Sequence, residues 1–147
     1  MRSRLSGGLL LTAALSIGVV AAGCGGGDDN LTKAEFQAQA NAICKKGNKE
    51  IVAAEKTVFT QKGQAPSKAA FDEFANGTLI PSVQSQIDGI NDLNPPSADE
   101  DKVNAITDEA QAALDKVKQD PHQLAGSDPF KKANQLAKDY GLNECAG

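Results

Sequence analysis

Four side chains carry most of the reactive chemistry in this 147-residue chain: the thiols of Cys24, Cys44 and Cys145, and the imidazole of His122. The thiols lack a Cys-x-x-Cys spacing and have no histidine close by, which argues against a redox or metal-binding pair. His122 is the only histidine. It follows Pro121 in an expected loop, without the serine and aspartate motif of a nucleophilic triad, and reads as an exposed loop residue. Carboxylates pair up at Asp72-Glu73, Asp99-Glu100-Asp101 and Asp108-Glu109. Adjacent residues on a helix point in different directions, so these read as a solvated face and not as an acid/base pair. A Ca²⁺ ion would need some 6–8 oxygens brought together. There is no Glu-x-x-His, no Cys-x-x-Cys-His, no phosphate-binding glycine loop and no EF-hand spacing. Lys45, Lys46 and Lys49 form a small basic patch, most simply solvated surface. The sequence therefore assigns no catalytic, cofactor-binding or metal-ligating residue. An enzyme would need a constellation of Asp, Glu, Lys and Tyr140 that no motif announces.

Cys24 is placed by what precedes it. Arg2 and Arg4 are the only charges before a run without charge over residues 5–27. Leu9-Leu10-Leu11, Ala13-Ala14-Leu15 and residues 17–22 make an apolar stretch, followed by small residues up to Ala21-Ala22-Gly23-Cys24. This is the layout of a secretory signal peptide. The same stretch is at the short limit for a membrane span, and Gly7, Gly8, Ser16 and Gly18 lower its hydrophobicity. Ser3 separates the two arginines, so a twin-arginine signal is not supported. With Ala22-Gly23-Cys24 the segment resembles the lipobox of bacterial lipoproteins, although Ala21 stands where Leu is preferred. The resemblance implies cleavage before Cys24, a diacylglyceryl thioether on its sulfur and acylation, for example by palmitate, of the new amino terminus. Two or more acyl chains anchor a protein stably, whereas one does so only marginally. Residues 25–30, Gly-Gly-Gly-Asp-Asp-Asn, then form a tether reaching at most about 20 Å. Met1, the only methionine, would leave with the signal peptide, which excludes a His/Met haem site.

With Cys24 taken by lipid, Cys44 and Cys145 remain as an even pair in an oxidising compartment, and a disulfide between them is expected. The mature chain from residue 24 holds 13 lysines, no arginine and 19 acidic residues, a net charge of −6. Without arginine it lacks the planar fork that grips phosphate, and with few aromatics it is a poor nucleic-acid binder. Anionic headgroups would repel it weakly, so membrane attachment should come from lipid alone.

The elements that must position these residues are helical. Thr32 and Glu35 have capping-box spacing. Phe36, Ala40, Ile43, Gly47, Ile51, Ala54 and Val58 then recur at intervals of three and four, predicting a helix over about 33–62 with Cys44 beside its apolar stripe. Gly47 within it suggests a close helix–helix contact. Ser67 is a plausible N-cap for a second stripe, Phe71, Ala75, Leu79, Val83, Ile87 and Ile90. Asn76-Gly77 and Pro81 interrupt it, predicting one kinked helix or two meeting near Pro81, with Ile80 driven from the helical region. After Pro95-Pro96, Ser97 and Glu100 form a second capping box, and Asp99, Glu100 and Asp101 place negative charge in the first turn. Val103, Ile106, Ala110, Leu114 and Val117 carry the third helix to Asp120-Pro121. Asp128-Pro129 reads as N-cap and first residue of a last helix with Phe130, Ala133, Leu136 and Tyr140 inward. Gly141 and Leu142 suit its end. No strand pattern of useful length appears.

The fold class expected is all-α: a bundle of about four helices over residues 31–147, closed by one disulfide, after a signal peptide (1–23) and a lipidated tether (24–30). Leu31-Thr32-Lys33-Ala34-Glu35-Phe36 with Cys44 downstream, Pro95-Pro96, and Tyr140-Gly141-Leu142 before Cys145 resemble the small Ala-rich helical lipoproteins of actinobacteria. That resemblance implies fold and location, on the extracytoplasmic face of the cell membrane, and no activity. Two function classes follow. One is a non-enzymatic interaction or structural module that meets another envelope protein. The other is a carrier of a small ligand or metal ion in a cavity between helices. Intact mass of detergent-extracted protein should correspond to residues 24–147 plus acyl chains; a protein starting at an unmodified Met1 rules out the lipid anchor.

Overall fold

The computed structural model describes residues 30–59 and 65–147. The expected signal segment, Cys24 and residues 25–29 of the expected tether lie outside them. Among the described residues every regular element is helical, and none is long and apolar enough to cross a membrane.

Helix α1 spans Lys33–Val58. Its start follows the local chemistry: the Thr32 hydroxyl accepts from the Glu35 N–H and the Glu35 carboxylate accepts from the Thr32 N–H. Phe36, Ala40, Cys44 and Gly47 are buried along one stripe. The helix stops four residues before the expected Lys62. Phe59 leaves helical geometry, with φ −95° and ψ 58°, and meets Phe74 edge to face at 6.2 Å.

The second rod begins with Ser67, whose hydroxyl accepts from the Ala70 N–H. It runs through α2 (Lys68–Phe74), a π-helical turn (Ala75–Leu79) and α3 (Ile80–Asn91). The interruption expected near Pro81 is therefore a change of winding within one rod. Proline lacks the N–H and crowds the carbonyl four residues back, here Gly77. The rod takes its wider turn over these residues, and π-helix occurs mostly as such single turns inside α-helices. Ile80 stays helical at φ −59° and ψ −49°, contrary to the bias expected before a proline. Gly47 lets this rod close on α1: a Cβ there would lie 2.3 Å from the Gln86 amide nitrogen.

Ser97 and Glu100 do not form the expected capping box. Residues Ser97–Asp99 make a 3-10 turn, α4 (Glu100–Gln119) starts after it, and the Ser97 hydroxyl instead accepts from the Asn30 side chain at 2.7 Å. Pro96 is extended, at φ −56° and ψ 134°, and the tight turn that follows puts Ser97 too early to reach the first α-helical amides. Helix α4 buries Val103, Ile106, Thr107, Ala113, Leu114 and Val117. Another 3-10 turn, Pro121–Ala125, follows, with the Asp120 carboxylate accepting from the His122 N–H.

Helix α5 spans Lys131–Tyr140, beginning later than Asp128-Pro129 suggested. The Asp128 carboxylate still caps locally, accepting from the Phe130 N–H at 3.0 Å. At the far end Gly141 takes φ 93°, and the Leu142 and Gly141 N–H groups donate to Ala137 and Lys138 carbonyls. That is the Schellman pattern, with Leu142 fully buried as its hydrophobic partner.

The four rods pack in a ring: α1 against α3, α3 against α4, α4 against α5, and the C-terminal turn Asn143–Cys145 back against α1. The core joins Phe36, Ala40, Cys44, Ile90, Val103, Ile106, Ala137, Tyr140 and Leu142. The Cys44–Cys145 disulfide closes the ring across 101 residues. Crosslinking a loop of about 100 residues is worth up to ~4.7 kcal/mol in the chain-entropy account. Cys44→Ser should therefore lower the melting temperature by roughly 10–20 °C. Equal melting temperatures with and without reductant would show that the bridge contributes nothing.

Candidate functional site

Three places in the bundle gather functional groups. The first is a cavity of about 210 Å³ between α1, α3, α4 and α5. Its floor is apolar and belongs to the core: Ile87, Ile90, Ile106, Ala137 and the Cys44 half of the disulfide, all buried. Its rim is polar, with the carboxamides of Asn48, Gln86 and Asn134 and the carboxylate of Asp128. The helical spacing of α3 puts Val83, Gln86, Ile87 and Ile90 on this wall. Thr107 is buried beside them, its hydroxyl donating back toward the Val103 and Asn104 carbonyls.

The second is a cleft of about 550 Å³ where α1 ends and α2 begins, lined by Phe59, Pro66, Phe71, His122 and Leu124. His122 departs from the expected exposed loop. It sits in the 3-10 turn after α4, half-buried, its ring 5.2 Å from that of Phe71 and its Nε2 2.9 Å from Asp72 Oδ1. The other Asp72 oxygen pairs with Lys68 Nζ at 2.8 Å. The Lys68 hydrogen bond and then the Lys68 and His122 charges hold the Asp72 carboxyl below its ordinary range, against some desolvation. Among the described residues no hydroxyl or thiol hydrogen-bonds to the imidazole, whose Nε2 faces the Asp72 carboxylate.

The third is the Asp99–Tyr140 pair. Asp99 was expected to be one of several solvated charges opening α4. It is buried instead, and its carboxylate accepts from Lys102 and from the Tyr140 hydroxyl at 3.2 Å, with Lys33 Nζ at 3.8 Å. Lys33 also lies 4.7 Å over the Tyr140 ring, and Phe36 meets that ring edge to face at 6.0 Å. One carboxylate thus joins the starts of α1 and α4 to the end of α5.

The remaining sequence candidates stay apart. Cys24 lies outside the described residues. Asp108 is exposed, Glu109 pairs with Lys132, and Glu73, Glu100 and Asp101 face solvent. Among the described residues no three His, Cys, Asp or Glu side chains come together as a metal site. Lys45, Lys46 and Lys49 are exposed, with Lys45 3.8 Å from Glu144. Comparisons with protein-family models, with curated proteins and with solved structures find no match for the chain.

Sequence reasoning missed the polar stripe beside Cys44. Gln37, Asn41 and Asn48 donate side-chain amides to the carbonyls of Tyr140, Gly141 and Glu144, and the Asn41 carbonyl accepts from the Glu144 N–H. Their spacing, at the same helical period as Cys44, was the available signal.

Tyr140 is the only tyrosine and the chain has no tryptophan, so ultraviolet absorbance reports its ionisation alone. Burial first, then the Asp99 charge and hydrogen bond, push the phenol up to about 12. The unfolded value is near 10, so the stability linked to Tyr140 is complete below about pH 10 and is lost as pH rises through about 12. Asp99 is held low chiefly by Lys102, so its contribution is present above about pH 4 and is lost as pH falls through the lowered value. The phenolate of the folded protein should emerge near pH 12, and earlier in Asp99→Asn, where burial remains but the charge is gone. A native titration at about pH 10 would contradict the buried pair.

Proposed function

We propose that this chain is an extracytoplasmic lipoprotein, held to the cell membrane by lipid on Cys24, whose bundle acts without catalysis as a protein-interaction module of the envelope. The carrying observation is where apolar surface is left exposed. Among the described residues the large apolar side chains in solvent are Val52 and Phe59, 46% and 45% exposed. They are seven residues apart, Val52 in the last turns of α1 and Phe59 as the residue that caps it. Both belong to the end of α1 remote from the tether, and Phe59 borders the cleft that holds His122. At ~1.5 Å per residue, α1's 26 residues span about 39 Å. A tether of at most about 20 Å would keep the opposite end near the bilayer and hold Val52 and Phe59 away from it. The disulfide supports an oxidising location, and the acidic, arginine-free mature chain supports a protein partner over nucleic acid.

A second reading, a small-ligand carrier, is favoured by one feature, the cavity of about 210 Å³ with an apolar floor and a carboxamide rim. A metal-ion carrier has no comparable support.

Photo-crosslinkers placed at Val52 and Phe59 in intact cells should capture one reproducible envelope protein, and capture should vanish with Cys24→Ala. Crosslinkers at Lys131 and Lys138, exposed on α5, should capture it much less. Equal background from all four positions would sink the interaction reading.

A further inference from the structure

We infer that the cavity between α1, α3, α4 and α5 is a binding site for a small neutral molecule with an apolar ring or short aliphatic body and one hydrogen-bonding end. This rests on the carrier reading and names its site and ligand class. The argument starts from polar groups that the protein leaves open. The side chains of Gln86 on α3 and Asn134 on α5 are half-buried, line the cavity and make no hydrogen bond among the described residues. Asn48 uses its amide nitrogen on the Glu144 carbonyl, which leaves its oxygen open. These amide atoms keep contact with solvent at the rim, so a ligand could exchange their water for its own hydrogen bonds. Two open carboxamides and the free oxygen of a third at one rim, above a floor of Ile87, Ile90 and Ile106, form the pattern of a small-molecule site: apolar enclosure with a few convergent polar groups.

The same residues set the ligand's charge. A carboxamide offers a donor and an acceptor together, which suits a neutral amide, alcohol or carbonyl. No lysine lines the cavity, and its one charged side chain is the carboxylate of Asp128, so an anion would find repulsion and no side-chain counter-charge. Volume sets the size. A dry apolar cavity of ~150 Å³ holds benzene, and this one, about 210 Å³, has room for one ring and a small polar group.

Benzamide is the probe that fits, with toluene as the purely apolar control and benzoate as the anionic one. Titrated into the folded, disulfide-bonded protein and followed by nitrogen–proton correlation spectra, benzamide should move the side-chain amide signals of Gln86 and Asn134 saturably. It should bind on the order of tenfold more tightly than toluene and benzoate. Ala110→Phe, which fills the cavity from α4, should abolish those shifts; Ala110→Leu serves if the larger side chain prevents folding. Gln86→Leu should weaken benzamide and leave toluene unchanged or tighter. Saturable benzamide shifts at Phe71 and His122 instead would overturn this site and move the carrier reading to the other cleft. No saturable shift with benzamide would also overturn the site. Native mass spectrometry of protein extracted from membranes would then judge the carrier reading separately, by whether a small molecule is retained.

Discussion

Everything in this fold depends on the grip of α1 on the chain's last turn. Gln37, Asn41, Cys44 and Asn48 fall on one side of α1 at intervals of four, three and four, and each binds the segment from Tyr140 to Cys145. Three neutral amides satisfy backbone carbonyls that α5 and its turn would otherwise leave open, and one covalent bond fixes their register. Because the partners lie about a hundred residues away, this seam brings the two ends of the bundle together and encloses the middle. The apolar core is modest and rich in alanine, so the enclosing contacts matter more here than they would around a large core.

The seam also explains where the polar chemistry lies. Holding Tyr140 against Phe36 places its hydroxyl at Asp99, and that carboxylate gathers two lysines from other elements. Three segments distant in sequence thereby meet at one buried charge, which is tolerable only because hydrogen bonds and cations surround it. At the other end of the bundle Asp72 plays a similar part with Lys68 and His122, though more exposed and beside open apolar surface. The two carboxylates have similar partners and different settings: one is locked in packing, the other borders a cleft.

What the sequence made legible was local. The Thr32–Glu35 box, the period of Phe36, Ala40 and Gly47, and the glycine finish at Gly141 depend on neighbours within a turn or two, and each stands in the structure. Ser97 and Glu100 carried the same signature and did not use it, because two preceding prolines and a tight turn moved the helix start. The Pro81 interruption was visible, but it took the form of a wider turn, which periodicity alone does not distinguish from a kink. Asp99 with Tyr140, and Asp72 with His122, were illegible because their partners meet only through tertiary packing. A cavity between helices entered only with the carrier alternative, and the place of Gln86 and Asn134 beside it had no signal; half-buried amides look like any surface glutamine or asparagine until the walls are in place.

The Cys44–Cys145 bond has one more consequence, for proteolysis. A single cut anywhere between those two residues, the turns around Pro66, Pro95 and Pro121 included, leaves two fragments covalently joined. After a cut in any of those turns, the piece carrying α5 stays linked through Cys44 to the piece carrying the start of α1. Nicking by a protease would therefore alter the bundle without shedding any part of it, and release of a fragment would need reduction of the disulfide as well as cleavage.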